Sequence, residues 1–365
     1  MKFGNFCCSY QLPDDTHTEV IARFIRLGEM SERLGFDTFW LQEHHFTEFA
    51  LVGNAYTAAA NLLGRTKNIH IGTMGLVLPT AHPARQLEDI LLLAQLSKGR
   101  FCLGFSHGLY DKDFSVFGGN MTDARGISQT YYRLLMQGQT TGHLCIDNKQ
   151  AISSKVKVYP QVYGQQTKGV PICITAASAG ATQWAAMQGL PIQMSWVMPT
   201  SEKQAQMAFY NEVATSHGHD ISKIEHSMVF ICVVDKNGDK ARDLCREFLV
   251  NWYDSYIEAC NTFKALKQEY NIEQTLWQDV DLVNNTNIQR RIDYSHDINP
   301  VGTPEECIEV IQRDIDATGI TQIICGFEAS GSEADIFMSM QQFITQIAPC
   351  LKEPENLSAM TNHDQ

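Results

Sequence analysis

A chain of 365 residues with 44% hydrophobic content can bury a large core in one domain. Its formal net charge of −13, with no Lys/Arg-rich run, speaks against nucleic acid or an anionic membrane as a partner. No apolar run approaches the ~18 residues that a membrane span needs. Met1-Lys-Phe-Gly-Asn-Phe6 leads directly into a first strand at about Lys2–Cys8, leaving no signal peptide, so a cytoplasmic protein is expected. A helix follows from about Thr18 to Leu34. Val20, Phe24, Leu27 and Leu34 share one face, and Gly35 stops it. Strand two is Thr38–Gln42. A small-residue helix, Ala55–Leu63, is ended by Gly64. Strand three is Ile69–Leu78. The next helix, about Pro83–Leu96, has Pro83 in its first turn and Gly99 past its end. Strand four is Phe101–Phe105.

Later strands are predicted at about Val170–Thr175, Pro191–Met194, Ser227–Val234 and Thr321–Cys325. A helix near Thr303–Ala317 opens with Thr303 as N-cap, Pro304 at the first position and Glu306 at the third, a capping box. Eight strands alternating with helices favour a (β/α)8 TIM barrel over an open doubly wound sheet, and no phosphate-loop or dinucleotide glycine fingerprint argues otherwise. Residues 1–351 are read as one barrel domain and 352–365 as a polar tail. Two polar stretches break the alternation. Gly138–Gly169 reads as an insertion before strand five, and Thr262–Gln289 as a lid-like loop. Of the eleven cysteines, Cys102, Cys173, Cys232 and Cys325 sit inside apolar runs and behave as small buried hydrophobes in a reducing compartment. No CxxC pair supports structural zinc.

Candidate chemistry gathers where strand two ends. Aromatic and β-branched residues of Phe36–Leu41 give way to Glu43, His44, His45 and Glu48. Active sites of parallel barrels lie at this end of the strands, and histidine moves protons near neutral pH. Adjacent strand residues point to opposite faces, so His44 and His45 are a poor pair for one metal ion.

Specific motifs run through nearly the whole chain. They include Met1-Lys-Phe-Gly-Asn-Phe6, Gly35-Phe-Asp-Thr38, Glu43-His-His-Phe-Thr-Glu-Phe49, Val77-Leu-Pro-Thr-Ala-His-Pro83 and Ser97-Lys-Gly-Arg-Phe101. Further along stand Trp252-Tyr-Asp-Ser-Tyr256, Arg290-Arg-Ile-Asp-Tyr-Ser295, Asn299-Pro-Val-Gly-Thr-Pro304 and Gly326-Phe-Glu-Ala329. In these the chain resembles the alpha subunits of the bacterial luciferase family. The resemblance implies a TIM barrel that pairs with a beta subunit, takes reduced FMN as a diffusible substrate from a flavin reductase, and uses oxygen to oxidise a long-chain aldehyde to the acid with light emission. It implies that His44 is the acid-base histidine with Glu43 and His45 as its neighbours, and that Asp113, counted with the two histidines as catalytic, lies near the isoalloxazine. Met74-Gly75 matches a cis peptide beside the flavin ring. Tyr110, Trp196 and Trp252 match flavin-site aromatics, and Arg125 and Ser178 match phosphate contacts. Self-association or subunit pairing is expected through a face carrying Ala58, Leu62, Leu87 and Leu91. The alternative for that face is ordinary helix-on-barrel packing.

Departures cluster at the flavin site. Ser106 stands where the family usually has Cys or Val, and Phe105-Ser106 resembles the beta subunit. His107 replaces a phosphate-binding arginine, Ala177 a glutamate and Ala181 a threonine, while Ser178 is kept. The lid has Asn284-Asn-Thr-Asn287 where the family carries paired lysines. A histidine is mostly neutral at pH 7, so its grip on phosphate is weaker than arginine's. Three readings follow. The matched motifs favour an alpha-type luciferase monooxygenase. The altered residues 106, 107, 177 and 181 favour a luciferase-like flavin oxidoreductase with little or no light. The third is a barrel that only binds a partner, against which the retained Glu43-His44-His45 and Arg125 argue.

Overall fold

The computed structural model describes residues 1–354 apart from 13, 109, 149–150, 165–168 and 271–284. Eight parallel strands run Lys2–Cys7, Thr38–Leu41, His70–Thr73 resumed at Leu76–Val77, Phe101–Ser106, Ile172–Thr175, Ile192–Met194, Ser227–Ile231 and Gln322–Gly326. Each pairs with its neighbours in chain order. The eighth pairs with the first, from Lys2↔Gln322 to Phe6↔Gly326, and this closes the sheet into the predicted (β/α)8 barrel. Around it lie α1 (His17–Leu34), α2 (Ala55–Arg65), α3 (Pro83–Ser97), α4 (Asp111–Val116), α5 (Ala124–Thr141), α6 (Ala179–Gln188), α7 (Thr200–Ser216), α8 (Gly238–Tyr270), α9 (Asn285–Ile298), α10 (Pro304–Thr318) and α11 (Glu333–Gln342). Among the described residues no helix is long and apolar enough to cross a membrane.

Local sequence explains most helix ends. Thr303 Oγ1 accepts from the Glu306 N–H at 3.4 Å, and Glu306 accepts from the Thr303 N–H at 2.7 Å, the expected capping box. Thr16 and Glu19 form a second box at the start of α1. The α2 helix does not stop at Gly64. It continues to Arg65, because Thr66 closes its last turn and Arg100 donates to the Leu63 and Thr66 carbonyls at 3.0 and 3.1 Å. These bonds satisfy carbonyls that a helix end otherwise leaves open.

The insertion before strand five is an antiparallel hairpin, His143–Asn148 with Ala151–Lys157. The α5 helix runs through Gly138 before it. A Cβ there would come 2.2 Å from Leu87, so Gly138 serves close packing against α3, and the helix ends at Gly142 with φ 67°. The expected lid needs a larger correction. Residues 262–270 continue α8, and 285–289 begin α9. Lys264-Ala-Leu-Lys-Gln-Glu269 is a run of good helix formers, and polarity alone does not distinguish an exposed helix from a loop. The middle of the expected lid, 271–284, lies outside the described residues. So does the expected tail beyond residue 354. Lys352 and Glu353, at its start, are tied to Gln312 and to the N-terminal amine.

Leu62, Leu87 and Leu91 are buried within this chain, Leu62 beneath α1 at Gly28 and Leu87 against α5, while Ala58 is half-buried. The three leucines therefore do not form a subunit-pairing face; they are ordinary helix-on-barrel packing. The large apolar side chains that α3 exposes are Leu92 and Leu96.

Candidate active site

A cavity of about 500 Å³ lies at the C-terminal ends of the strands. Every strand end reaches it. Phe6 and Cys8 come from strand one, Gln42–His44 from strand two and Met74-Gly75 from the break in strand three. Ser106–Gly108, Thr175–Ser178 in part, Ser195–Val197, Ile231 and Gly326 complete the ring. The Met74-Gly75 peptide is cis, as expected. A Cβ on Gly75 would meet the Phe105 carbonyl carbon at 2.8 Å, so only glycine lets this backbone lie flat against strand four.

One sector carries acid-base groups. Glu43 fixes the turn after strand two, accepting from the Val77 N–H at 3.0 Å and the Ala55 N–H at 3.1 Å. His44 lines the cavity, its ring edge-on to Phe49 at 5.1 Å and Tyr110 at 5.8 Å. Burial first, and the neighbouring His45 second, push the His44 imidazolium down to about 4. His44 is thus a neutral base at pH 7. His45 is not part of the cavity wall. Its ring lies 4.8 Å from that of Phe117, and its Nε2 sits 3.5 Å from Glu43 without a hydrogen bond. Phe46, at φ 55°, turns the chain here. Asp113, on α4, is 1% exposed, and neither carboxylate oxygen has a hydrogen-bond partner among the described residues. Burial lifts its carboxyl to about 7, partly offset by His45.

A second sector is aromatic. Trp252 stacks on Tyr256 with centroids 5.2 Å apart and planes 12° apart, and meets Trp196 edge-on at 5.7 Å. Phe49 contacts both Trp252 and Tyr256. Flat apolar walls of this kind suit a planar heteroaromatic ligand.

The third sector is a cradle for an anion. Ser178 caps α6, its hydroxyl accepting from the Ala181 N–H at 3.3 Å, and the positive end of that helix faces the cavity. The Arg125 guanidinium lies over Gly180, and its buried Nε has no hydrogen-bond partner among the described residues. Both buried ring nitrogens of His107 are also without hydrogen-bond partners among the described residues. Ala177 and Ala181 line the same end with methyl groups, as the sequence implies.

The structure thus brings His44, Asp113, Met74, Gly75, Ser106, His107, Tyr110, Arg125, Ser178, Trp196 and Trp252 to one cavity and leaves His45 behind it. It adds two residues not singled out from sequence. Phe248 and Tyr256 flank Trp252 at four-residue spacing on α8, a helical-face signal that was present in the chain. Glu328 accepts from the Cys8 and Tyr10 N–H groups at 2.6 and 3.0 Å and so pins the loop after strand one. Its place just past strand eight, at the site end, is legible in the sequence, which gives it no direct part in the chemistry.

Residues 1–322 match the family model of luciferase-like monooxygenases. The chain is 56% identical to the alkanal monooxygenase alpha chain of Aliivibrio fischeri, covering 97% of this chain and 100% of that protein. It is 28% identical to the alkanal monooxygenase beta chain of the same organism, covering 90% and 93%. Among solved structures, the oxygenating constituent of 3,6-diketocamphane monooxygenase from Pseudomonas putida, in complex with FMN, superposes with a TM-score of 0.73 at 18% identity, covering 98% of this chain and 100% of that one. That structure shares the fold. Together with the strand-end cavity, these matches show that the chain belongs to the luciferase-like monooxygenase family.

Proposed function

We propose that the chain is the alpha-type, catalytic subunit of a bacterial luciferase. It uses reduced FMN and oxygen to oxidise a long-chain aldehyde to the carboxylic acid, with emission of light. It acts in the cytoplasm, paired with a beta-type subunit and supplied by a flavin reductase. One observation carries this reading. A single cavity joins an anion cradle at the start of α6, an aromatic wall and a neutral buried histidine. Alpha-type identity rests on 56% against 28% identity to the two chains of one organism's enzyme.

The residues present fit FMN. The orphaned Arg125 Nε and His107 ring nitrogens, with the α6 N-terminus and Ser178, would hold its phosphate. Trp196, Trp252 and Tyr110 would flank its ring system, with the Met74-Gly75 backbone against an edge. When bound in reduced form, the flavin supplies the electrons that activate oxygen. The protein supplies the rest. The aromatic wall excludes water from the reacting centre. A ring nitrogen of His44 is free of charge at neutral pH and accepts a proton as the aldehyde is oxidised. The carboxyl of Asp113, raised by burial to about 7, lines the same cavity and can hold or release a proton near neutral pH.

Product analysis tests this directly. The chain co-expressed with a luciferase beta subunit, given reduced FMN, air and a long-chain aldehyde, is expected to yield the acid; unchanged aldehyde would refute the assignment. A dim variant of the same chemistry is the second reading, favoured by the methyl groups of Ala177 and Ala181 in the cradle. The cavity and its buried polar groups argue against a barrel that only binds a partner.

A further inference from the structure

Two side chains, Arg125 and His107, line the anion cradle, and only the arginine is a permanent cation. His107 follows strand four. Its ring nitrogens are both shielded and, among the described residues, unpartnered, and its ring stands edge-on to Trp184 at 6.0 Å and Phe105 at 6.4 Å. Arg125 approaches from α5 so closely that a Cβ on Gly180 would lie 2.6 Å from Nη1. The groups packed against His107 from α6 and strand four, Trp184 and Phe105, carry no charge. Among the described residues Arg125 is the charged group that acts on it. The other cradle donors come from the first turn of α6, capped by Ser178.

We propose that phosphate capture in this chain is coupled to proton uptake: a phosphate monoester dianion seated between Arg125 and the start of α6 draws a proton from solvent onto His107, which then becomes the second cation of the cradle. This rests on the flavin reading above, since the ligand is the phosphate of FMN. No bond other than N–H forms; the proton comes from buffer and returns to it on release. Burial, and then Arg125, hold the His107 imidazolium down to about 4, so at neutral pH the ring is uncharged without an anion. A dianion opposes Arg125 with two charges and reverses the sign of the local field. A group whose pKa rises on binding takes up a proton, and ligand affinity then rises as pH falls. An arginine at this position would already be charged and would take up nothing. The substitution thus turns a clamp insensitive to pH into one that responds to it.

Calorimetric titration of the full chain with oxidised FMN at pH 7.5, in two buffers of different ionisation heat, counts the protons. Riboflavin, which lacks the phosphate, is titrated alongside. Binding of FMN is expected to take up protons, at most one per molecule bound, and binding of riboflavin none. His107→Arg should abolish the uptake and bind FMN roughly tenfold or more tightly at pH 8, with riboflavin unchanged. His107→Gln should also abolish uptake and bind FMN weakly at every pH, which keeps the test intact if the arginine variant folds poorly. The phosphate's own second ionisation, near pH ~6, is an independent source of uptake. Uptake that survives in both variants assigns the proton to the phosphate and overturns the inference. FMN and riboflavin bound equally, without uptake, overturn it while leaving the flavin reading standing. Failure to bind either flavin overturns both.

Discussion

Arg125 reaches its place only because residue 180 is glycine: a Cβ there would stand 2.6 Å from Nη1 and 3.1 Å from the guanidinium carbon. The obstructed atoms are the far end of a flexible side chain, so the arginine can move aside at little cost to the fold. Gly180→Ala is therefore expected to leave stability unchanged or raised by about 0.5–1 kcal/mol, the usual gain for alanine in a helix. FMN affinity should fall roughly ten- to hundredfold, the worth of one charge-assisted hydrogen bond, with riboflavin affinity unmoved. Paired FMN and riboflavin titrations check it. Equal losses for both ligands would mean that Arg125 does not serve the phosphate.

His44 offers a pH signature as well as a rate effect. Its imidazolium is pushed down to about 4, so the base form persists from pH 5 upward. The acid limb of aldehyde turnover should not show the inflection near ~6.5 that an ordinary histidine gives. His44→Ala should cost ~10²–10⁴-fold in turnover and leave flavin binding largely intact. A loss below about tenfold would assign the proton work elsewhere.

Asp113 should weigh on stability in a pH-dependent way. Its folded carboxyl is raised to about 7 by burial, whereas the unfolded one titrates near ~3.9. The folded state therefore binds more protons between these values, and stability falls as pH rises from about 4 to about 7. Asp113→Asn removes that cost. Chemical denaturation should show no gain below pH ~4, a growing gain through the interval, and a plateau of a few kcal/mol above pH 7. A gain independent of pH would show that burial of the charge is not its source.

Away from the cavity, Lys203 and Asp314 form a fully buried ion pair at 2.5 Å between α7 and α10, with Thr200 also bonded to the carboxylate. Lys203→Met strands the carboxylate and should cost roughly 3–5 kcal/mol. Lys203→Met combined with Asp314→Leu should recover much of that, because both charges are then gone. Urea midpoints of the two variants decide the matter, and specific activity of the folded fraction should not change.

The barrel was legible because its signals are local and repeated: strand, helix face and cap, as at Thr303–Glu306. Apart from the expected lid, where polarity was mistaken for a loop, what failed was a local residue preference overruled by tertiary contact. Gly64 and Gly138 look like breakers, yet Arg100 holds α2 past the first, and Leu87 packs against the second. Likewise Leu62 and Leu87 make an apolar stripe that reads equally as a subunit face or as core, and only neighbouring helices decide. Within the candidate site, polar residues at strand ends were found because the barrel architecture says where to look. The division between His44 and His45 is different. Period-two alternation predicts opposite directions but not which ring enters the cavity; the turn at Phe46 and the hold of Glu43 on two backbone amides select His44. On α8 the resemblance pointed to Trp252, whereas Phe248 and Tyr256 enter the site only through their four-residue spacing on the same helix.

Photon counting tests the central claim most directly. The chain, co-expressed with a luciferase beta subunit, receives reduced FMN injected into aerated buffer with a long-chain aldehyde, beside the His44→Ala protein at equal flavin occupancy. The account predicts aldehyde-dependent light from the unaltered chain, reduced by two or more orders of magnitude in the variant. Flavin binding without light from either protein, or equal light from both, would contradict it.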